Sequence, residues 1–136
     1  MMPRTVKVLI LGAQIFAEEV ADLVEETPGF EVKGFIENLS PDRCQAHLLG
    51  KPVLWVTELG NLEENCHLLC GIGTNRRREY VEQVKLYKLP FATLIHPSAR
   101  ISQTSNVGTG GIISVNAVIA AHSSLGVHTI VNRGVR

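Results

Sequence analysis

From Ile95 onward an aliphatic residue returns at every sixth position: Ile95, Ile101, Val107, Ile113, Ile119, Leu125 and Val131. The fourth residue after each is small or modest in size: Ala99, Ser105, Gly111, Ala117, Ser123, Thr129 and Val135. A phase held this long excludes most folds, since amphipathic helices repeat near 3.6 residues and sandwich strands alternate with period two between turns. One large and one small inward residue per hexad suits a parallel β-helix, in which each hexad forms one flat side of a triangular prism. The aliphatic side chains then stack along the axis, and the small residues let the chain turn. Gly108, Asn116, Gly126 and Asn132 fall between them and suit tight corners that need positive φ.

Up to about Phe91 the pattern is different. The run VKVLIL is short, branched and apolar and stops at Gly12, as expected for a strand buried on both faces. FAEEVADLVEE places Phe16, Val20, Leu23 and Val24 on one helical face, and the Pro28-Gly29 pair ends it. FEVKGFIE reads as a second strand. After a loop with Pro41 and Gly50 come PVLW, a short helical stretch TELGNLEEN, the apolar run HLLCGIG and a longer amphipathic helix, RRREYVEQVKLYK, before Pro90. Strands alternating with helices imply crossovers and a mostly parallel sheet. The predicted fold class is α/β, with a small Rossmann-like domain over residues 1–92 followed by a parallel β-helix over 93–136.

A chain of 136 residues is long enough to bury a core. Thirteen basic residues balance thirteen acidic ones, so no global field draws nucleic acid or an anionic membrane. No apolar run approaches the ~20 residues of a bilayer span, and MMPRTVKVLI lacks the layout of a secretory signal. A cytoplasmic protein with no nucleic-acid or membrane partner is expected. Cys44, Cys66 and Cys70 sit among apolar neighbours and suit reduced core thiols better than a disulfide framework. Together with His47 they match no common zinc spacing, so no metal is expected.

Several residues invite a chemical reading. GAQIFAEEV would set the start of a helix, with its free amides and positive dipole end, beneath a phosphate. A dinucleotide loop wants Gly-x-Gly-x-x-Gly, and here Gln14 holds the second glycine position while Ala17 is an accepted third. A ligand loop and a purely structural turn both remain open. Glu37, ending the second strand, suits either a ribose hydroxyl or a solvated loop. Arg76, Arg77 and Arg78 at a helix start oppose the macrodipole, so they either face solvent or surround an anion. His122 and His128 occupy the same place in consecutive hexads, hence different sides of the prism, and read as exposed corner residues. His96 precedes Pro97 and belongs to the junction.

Four stretches carry a resemblance that spans the whole chain: LILGA at 9–13, GFIEN at 34–38, GIGTNRRR at 71–78 and LIHPSA at 94–99, followed by the hexads. Together they resemble the bacterial sugar acetyltransferases of bacillosamine and sialic-acid pathways, in the left-handed β-helix (hexapeptide-repeat) superfamily. The resemblance implies an N-terminal domain that holds a UDP-sugar or related sugar substrate. It implies too a β-helix that builds a homotrimer and binds acetyl-CoA between subunits. Residues carried over as substrate-binding are Gly12, Ala13, Gln14 and Ile15 in the first loop, Glu37 and Asn38 in the second, and Gly73, Asn75 and Arg78 in the third. Ile15 stands where relatives usually have glycine. In the family a histidine follows the segment similar to IVNRGV within a few residues and acts as general base, so no residue up to Arg136 is expected to be catalytic. This chain by itself is therefore expected to lack acetyltransferase activity. The alternatives are a non-catalytic nucleotide-sugar-binding or assembly module and, on the Rossmann-like half alone, a nicotinamide-dependent oxidoreductase.

Overall fold

The computed structural model describes residues 5–132. Its centre is β1 (Val6–Leu11), whose Val8, Leu9, Ile10 and Leu11 are at most 2% exposed. An unbroken apolar run of this kind can only sit where both sheet faces are covered. The sheet adds β2 (Phe30–Glu37), β3 (Val53–Trp55) and β4 (His67–Cys70) in the order β3-β2-β1-β4, and every pairing is parallel. α1 (Ile15–Glu25) covers one face, where Val8 and Ile10 meet Val20 and Val24. α2 (Arg76–Val84) covers the other, where Leu9 and Leu11 meet Tyr80, Val81 and Val84. The alternation of β1 thus divides one apolar run between two cores.

The register of β1 on β2 slips once: Val8 faces Val32 but Leu9 faces Gly34, leaving Lys33 over as a bulge. Gly34 is required there because a Cβ would lie 2.8 Å from the Pro52 carbonyl oxygen. The stretch expected as a helix after β3 is only a 3-10 turn, Val56–Asn61, which buries Val56 and Leu59. With Gly60 inside it, so short a segment lacks the length and propensity for α-helix.

From Leu94 the chain forms two-residue strands six residues apart: β5 (Leu94–Ile95), β6 (Arg100–Ile101), β7 (Asn106–Val107), β8 (Ile112–Ile113), β9 (Val118–Ile119), β10 (Ser124–Leu125) and β11 (Ile130–Val131). They stack in parallel as three sides, β5-β8-β11, β6-β9 and β7-β10. This is the β-helix that the six-residue phase predicts. Ile113 and Ile119, with coils on either side of them or close by, are 0% and 7% exposed, while Ile95 in the first coil is 38% exposed.

The corners differ from expectation. Left-handed φ occurs at one hexad position, Gly110, Asn116, His122 and His128; of the residues expected to need it, Asn116 does. Gly108 serves a different purpose, while a Cβ on Gly126 would meet only Thr129 Oγ1 at 3.9 Å. A Cβ on Gly108 would come within 2.6 Å of the Gly126 carbonyl carbon, so glycine lets successive coils approach. The amides of Asn116 and His122 donate to the hydroxyls of Ser98 and Thr104, each eighteen residues earlier in the coil beneath.

A second period joins the two halves. The residue before each inward aliphatic points out of the prism, and on the β5-β8-β11 side these residues are Leu94, Ile112 and Ile130. Leu94 and Ile112 are 0% and 1% exposed and lie in the same core as Val8, Ile10, Val20 and Val24. On the β6-β9 side the corresponding residues are Arg100, which is exposed, and Val118, at 71%. One side of the prism is therefore docked on the α1 layer.

Candidate functional site

In an open parallel sheet, ligands bind beyond the carboxyl ends of the strands. Here β2, β1 and β4 are neighbours, so the loops after them, carrying Glu37–Ser40, Gly12–Gln14 and Gly71–Asn75, meet at one edge. Gly12 is buried at φ +106°, and its amide donates to the Ile36 carbonyl at 2.7 Å. A Cβ there would stand 2.7 Å from Ile72 Cδ1, so conformation and space both demand glycine. The turn presents Ala13, half-buried, and Gln14, exposed and extended as the residue preceding α1. No side chain caps the first turn of α1, which leaves backbone amides and the positive dipole end directed at this edge. Ile15 is 76% exposed beside them.

The third loop rests against the first. Gly71, which the sequence reading left out of the site, is its tight point: a Cβ would meet Ile10 Cγ2 at 2.6 Å and both the Ala17 Cα and the Leu11 carbonyl oxygen at 3.0 Å. Gly73 is exposed, and a Cβ on it would meet nothing closer than the Phe16 ring at 3.4 Å. Its lack of a side chain is not imposed by packing. Asn75 precedes α2 without a capping bond, and Arg76 and Arg78 are exposed around that helix start. Arg77 is turned away from any anion, with its guanidinium spent on the carbonyls of Ile72 at 2.9 Å, Cys70 at 3.4 Å and His128. The three arginines, equivalent in sequence, are thus split into two that face solvent and one that binds backbone.

Glu37 is 2% exposed, which corrects the reading of a solvated loop carboxylate. Its Oε2 accepts the amides of Leu39 at 2.8 Å and Ser40 at 3.0 Å, and Arg43 lies 3.3 Å away. These bonds hold the β2 loop in place, so a ribose hydroxyl would have to share an oxygen already in use. Asn38 Nδ2 donates to Gln83 Oε1 of α2 at 2.7 Å. Tyr80 Oη donates to the Ile36 carbonyl at 2.5 Å, and burial, reinforced by Glu37, drives its phenol pKa far up, keeping it a neutral donor.

The remaining histidines and cysteines stand outside this edge. His96 is 8% exposed and joins the coil to α1: Nε2 lies 2.7 Å from Glu26 Oε1, and Nδ1 accepts the Ser98 amide at 3.0 Å. His122 is exposed. His128 is not the open corner residue expected: it is half-buried, its ring stands edge-on to Phe91 at 4.5 Å, and its Nδ1 is enclosed without a partner. Burial, with help from Arg77 and Lys85, lowers its pKa, so the imidazole is neutral near pH 7. Cys66 and Cys70 are buried and Cys44 is half-buried; burial raises all three thiols. Among the described residues no cluster of His, Cys, Asp and Glu could hold a metal, and no helix is long and apolar enough to cross a membrane. A groove of about 540 Å³ between α1 and the coils carries Glu19, Asp22 and Glu26, a lining that repels phosphate.

A Rossmann-like α/β layer with an uncapped helix start at its ligand edge thus runs directly into a docked β-helix. Residues 7–84 match the family described as the PglD N-terminal domain, and the chain belongs to that family. Over 59 residues it is 41% identical to UDP-N-acetylbacillosamine N-acetyltransferase of Bacillus subtilis (strain 168), covering 43% of this chain and 27% of that protein. Among solved structures it is similar to the acetyltransferase domain of PglB from Neisseria gonorrhoeae FA1090 in complex with acetyl coenzyme A, with TM-score 0.80 and 28% identity, covering 94% of this chain and 62% of that one. It is equally similar to PerB from Caulobacter crescentus in complex with CoA and GDP-perosamine, with TM-score 0.80 and 27% identity, covering 94% and 60%. The chain therefore spans about three-fifths of these solved structures and about a quarter of the curated relative.

Proposed function

We propose that this chain supplies the acceptor-binding part and first coils of an acetyl-CoA-dependent acetyltransferase acting on the amine or hydroxyl of a nucleotide-linked sugar in cell-surface glycan biosynthesis. The observation that carries the reading is the meeting of the Gly12 and Gly71 loops beneath the uncapped start of α1, at the head of coils matched over 94% of the chain by a relative holding CoA and GDP-perosamine. In this reading the amides after Gln14 take the diphosphate. Gly12, Ala13 and Ile15 shape the wall, Arg78 adds charge, and Glu37 and Asn38 border the sugar or ribose. Gly73 and Asn75 complete the opposite rim. The division into residues 1–92 and 93–136, a cytoplasmic location and a homotrimer built through the β-helix belong to the same proposal.

Acetyl transfer needs a base to take the proton of the attacking amine or hydroxyl and donors to steady the oxyanion of the thioester adduct. None of the residues at the loop edge is suited to be that base, because Glu37 is engaged and His128 stands outside it. The chain's contribution is to bind and orient the acceptor. The test uses protein made from the native gene: CoA release is followed with acetyl-CoA and a panel of UDP- and GDP-linked amino sugars, with intact mass recorded on the same sample. Turnover with one such sugar is expected, with KM raised at least tenfold by Ile15→Pro, which removes the first of those amides at a helix position that tolerates proline. Nucleotide-sugar binding without turnover would move the reading to a non-catalytic binding module.

A further inference from the structure

Resting on that acceptor-binding reading, we infer that Arg77 is a positioning residue that locks the acceptor loops to the corner that ends the second coil of the β-helix. Its Nη1 donates to the Ile72 carbonyl at 2.9 Å and lies 3.4 Å from the Cys70 carbonyl, while Nη2 donates to the carbonyl of His128, fifty-one residues further on. One planar, rigid fork therefore bonds the loop after β4 on one side and a β-helix corner on the other.

Both ends of this contact are themselves held. On the loop side, Ile72 Cδ1 and the Gly71 carbonyl occupy the space where a Gly12 side chain would stand, so a shift of residues 71–72 moves the first loop as well. On the coil side, His128 has left-handed φ, its amide donates to the Thr109 carbonyl at 2.9 Å, and its ring lies where a side chain on Gly110 would be. Phe91 closes the corner from the edge of the sheet. Cations in the first turn of a helix oppose its dipole, and Arg77 keeps its place through carbonyl bonds made by neither Arg76 nor Arg78. A donor acting between two segments fifty-one residues apart fixes their local spacing, and spacing between acceptor and transfer chemistry controls rate more than affinity.

The test compares Arg77→Met, which keeps the aliphatic stem, and the milder Arg77→Lys, which cannot fork to both sides, in protein from the native gene. KM for the nucleotide sugar should stay within about twofold while kcat falls about tenfold or more. Amide hydrogen exchange should quicken at 71–74 and at 126–129 together. Unchanged exchange at 126–129 in both variants, or a loss confined to KM, would overturn the role. A wild-type protein that transfers no acetyl group would overturn the functional reading instead, and the exchange comparison would still decide whether Arg77 couples loop to coil.

Discussion

The sheet and the coils solve one problem in opposite ways. β1 buries four consecutive residues through its own composition, and its neighbours are set by crossovers, through α1 to β2 and through the Val56–Asn61 turn after β3 to β4. Each strand of the coils has only two residues and owes its burial to partners eighteen positions away. Local apolar density makes the first region stable in place, whereas periodicity makes the second. Where they touch, Leu94 and Ile112 belong to both: they obey the coil's phase and complete the sheet's core. Long-range repetition can thus carry a docking surface at no cost to its own packing, because outward positions are independent of inward ones.

The largest effect should come from cutting that joint. Ile112→Ala, at a site 1% exposed, is expected to cost about 2–5 kcal/mol, whereas Val118→Ala, at the same hexad position on an undocked side and 71% exposed, should stay within about 0.5 kcal/mol. Urea denaturation of the pair checks this. Equal losses would mean that the β6-β9 side is buried in an assembly, and the contrast between docked and free sides would fail.

Next come the glycines of the ligand edge. Gly71→Ala places a Cβ against Ala17 and Leu11 backbone atoms at 3.0 Å and should destabilise by about 1–3 kcal/mol. Gly73→Ala meets only ordinary contacts and should change stability by less than about 0.5 kcal/mol while weakening nucleotide-sugar binding. Thermal melts with and without UDP would separate the two; matching losses of stability would show that the loop is tight throughout.

Tyr80→Phe should cost about 1 kcal/mol. The Ile36 carbonyl that loses the phenol keeps the Gly12 amide at 2.7 Å, so it is not left without a donor. A loss above about 3 kcal/mol would mean that Tyr80 holds the β2 loop for the whole edge.

The smallest effect is on pH dependence. Folding lowers the pKa of His128 below its ordinary value, so the unfolded chain takes up a proton that the folded one resists. Stability is therefore expected to fall as pH drops through and below the ordinary histidine value. The slope between pH 7 and 5 should be shallower in His128→Asn, which keeps a residue tolerant of left-handed φ. An unaltered slope would place the titrating group elsewhere.

Much of this molecule was legible in one dimension. The alternation of VKVLIL with an amphipathic helix requires a covered parallel strand, and the six-residue phase from Ile95 requires stacked coils; both depend on side-chain periodicity, which sequence records directly. The eighteen-residue recurrence of Leu94, Ile112 and Ile130 was also present, though it marks a docked face only once the prism is known to have three sides. Gly71, next to the more conspicuous Gly73, gave no local sign of being the tight point. The fates of Arg76, Arg77 and Arg78 could not be told apart, since identical side chains on consecutive helical positions differ only in direction. Glu37 was hidden in the same way: whether a strand-end carboxylate meets solvent or its own loop amides depends on how the next residues turn.

Periodicity by itself determined which layers this protein contains and where one gives way to the other, because burial of alternating or six-fold residues is forced by the hydrophobic effect. The tertiary structure alone decided which loop glycine is obligatory, which arginine is spent on backbone and which side of the prism is covered. Those choices rest on distances of a few ångströms between segments far apart in the chain, and no local pattern encodes them.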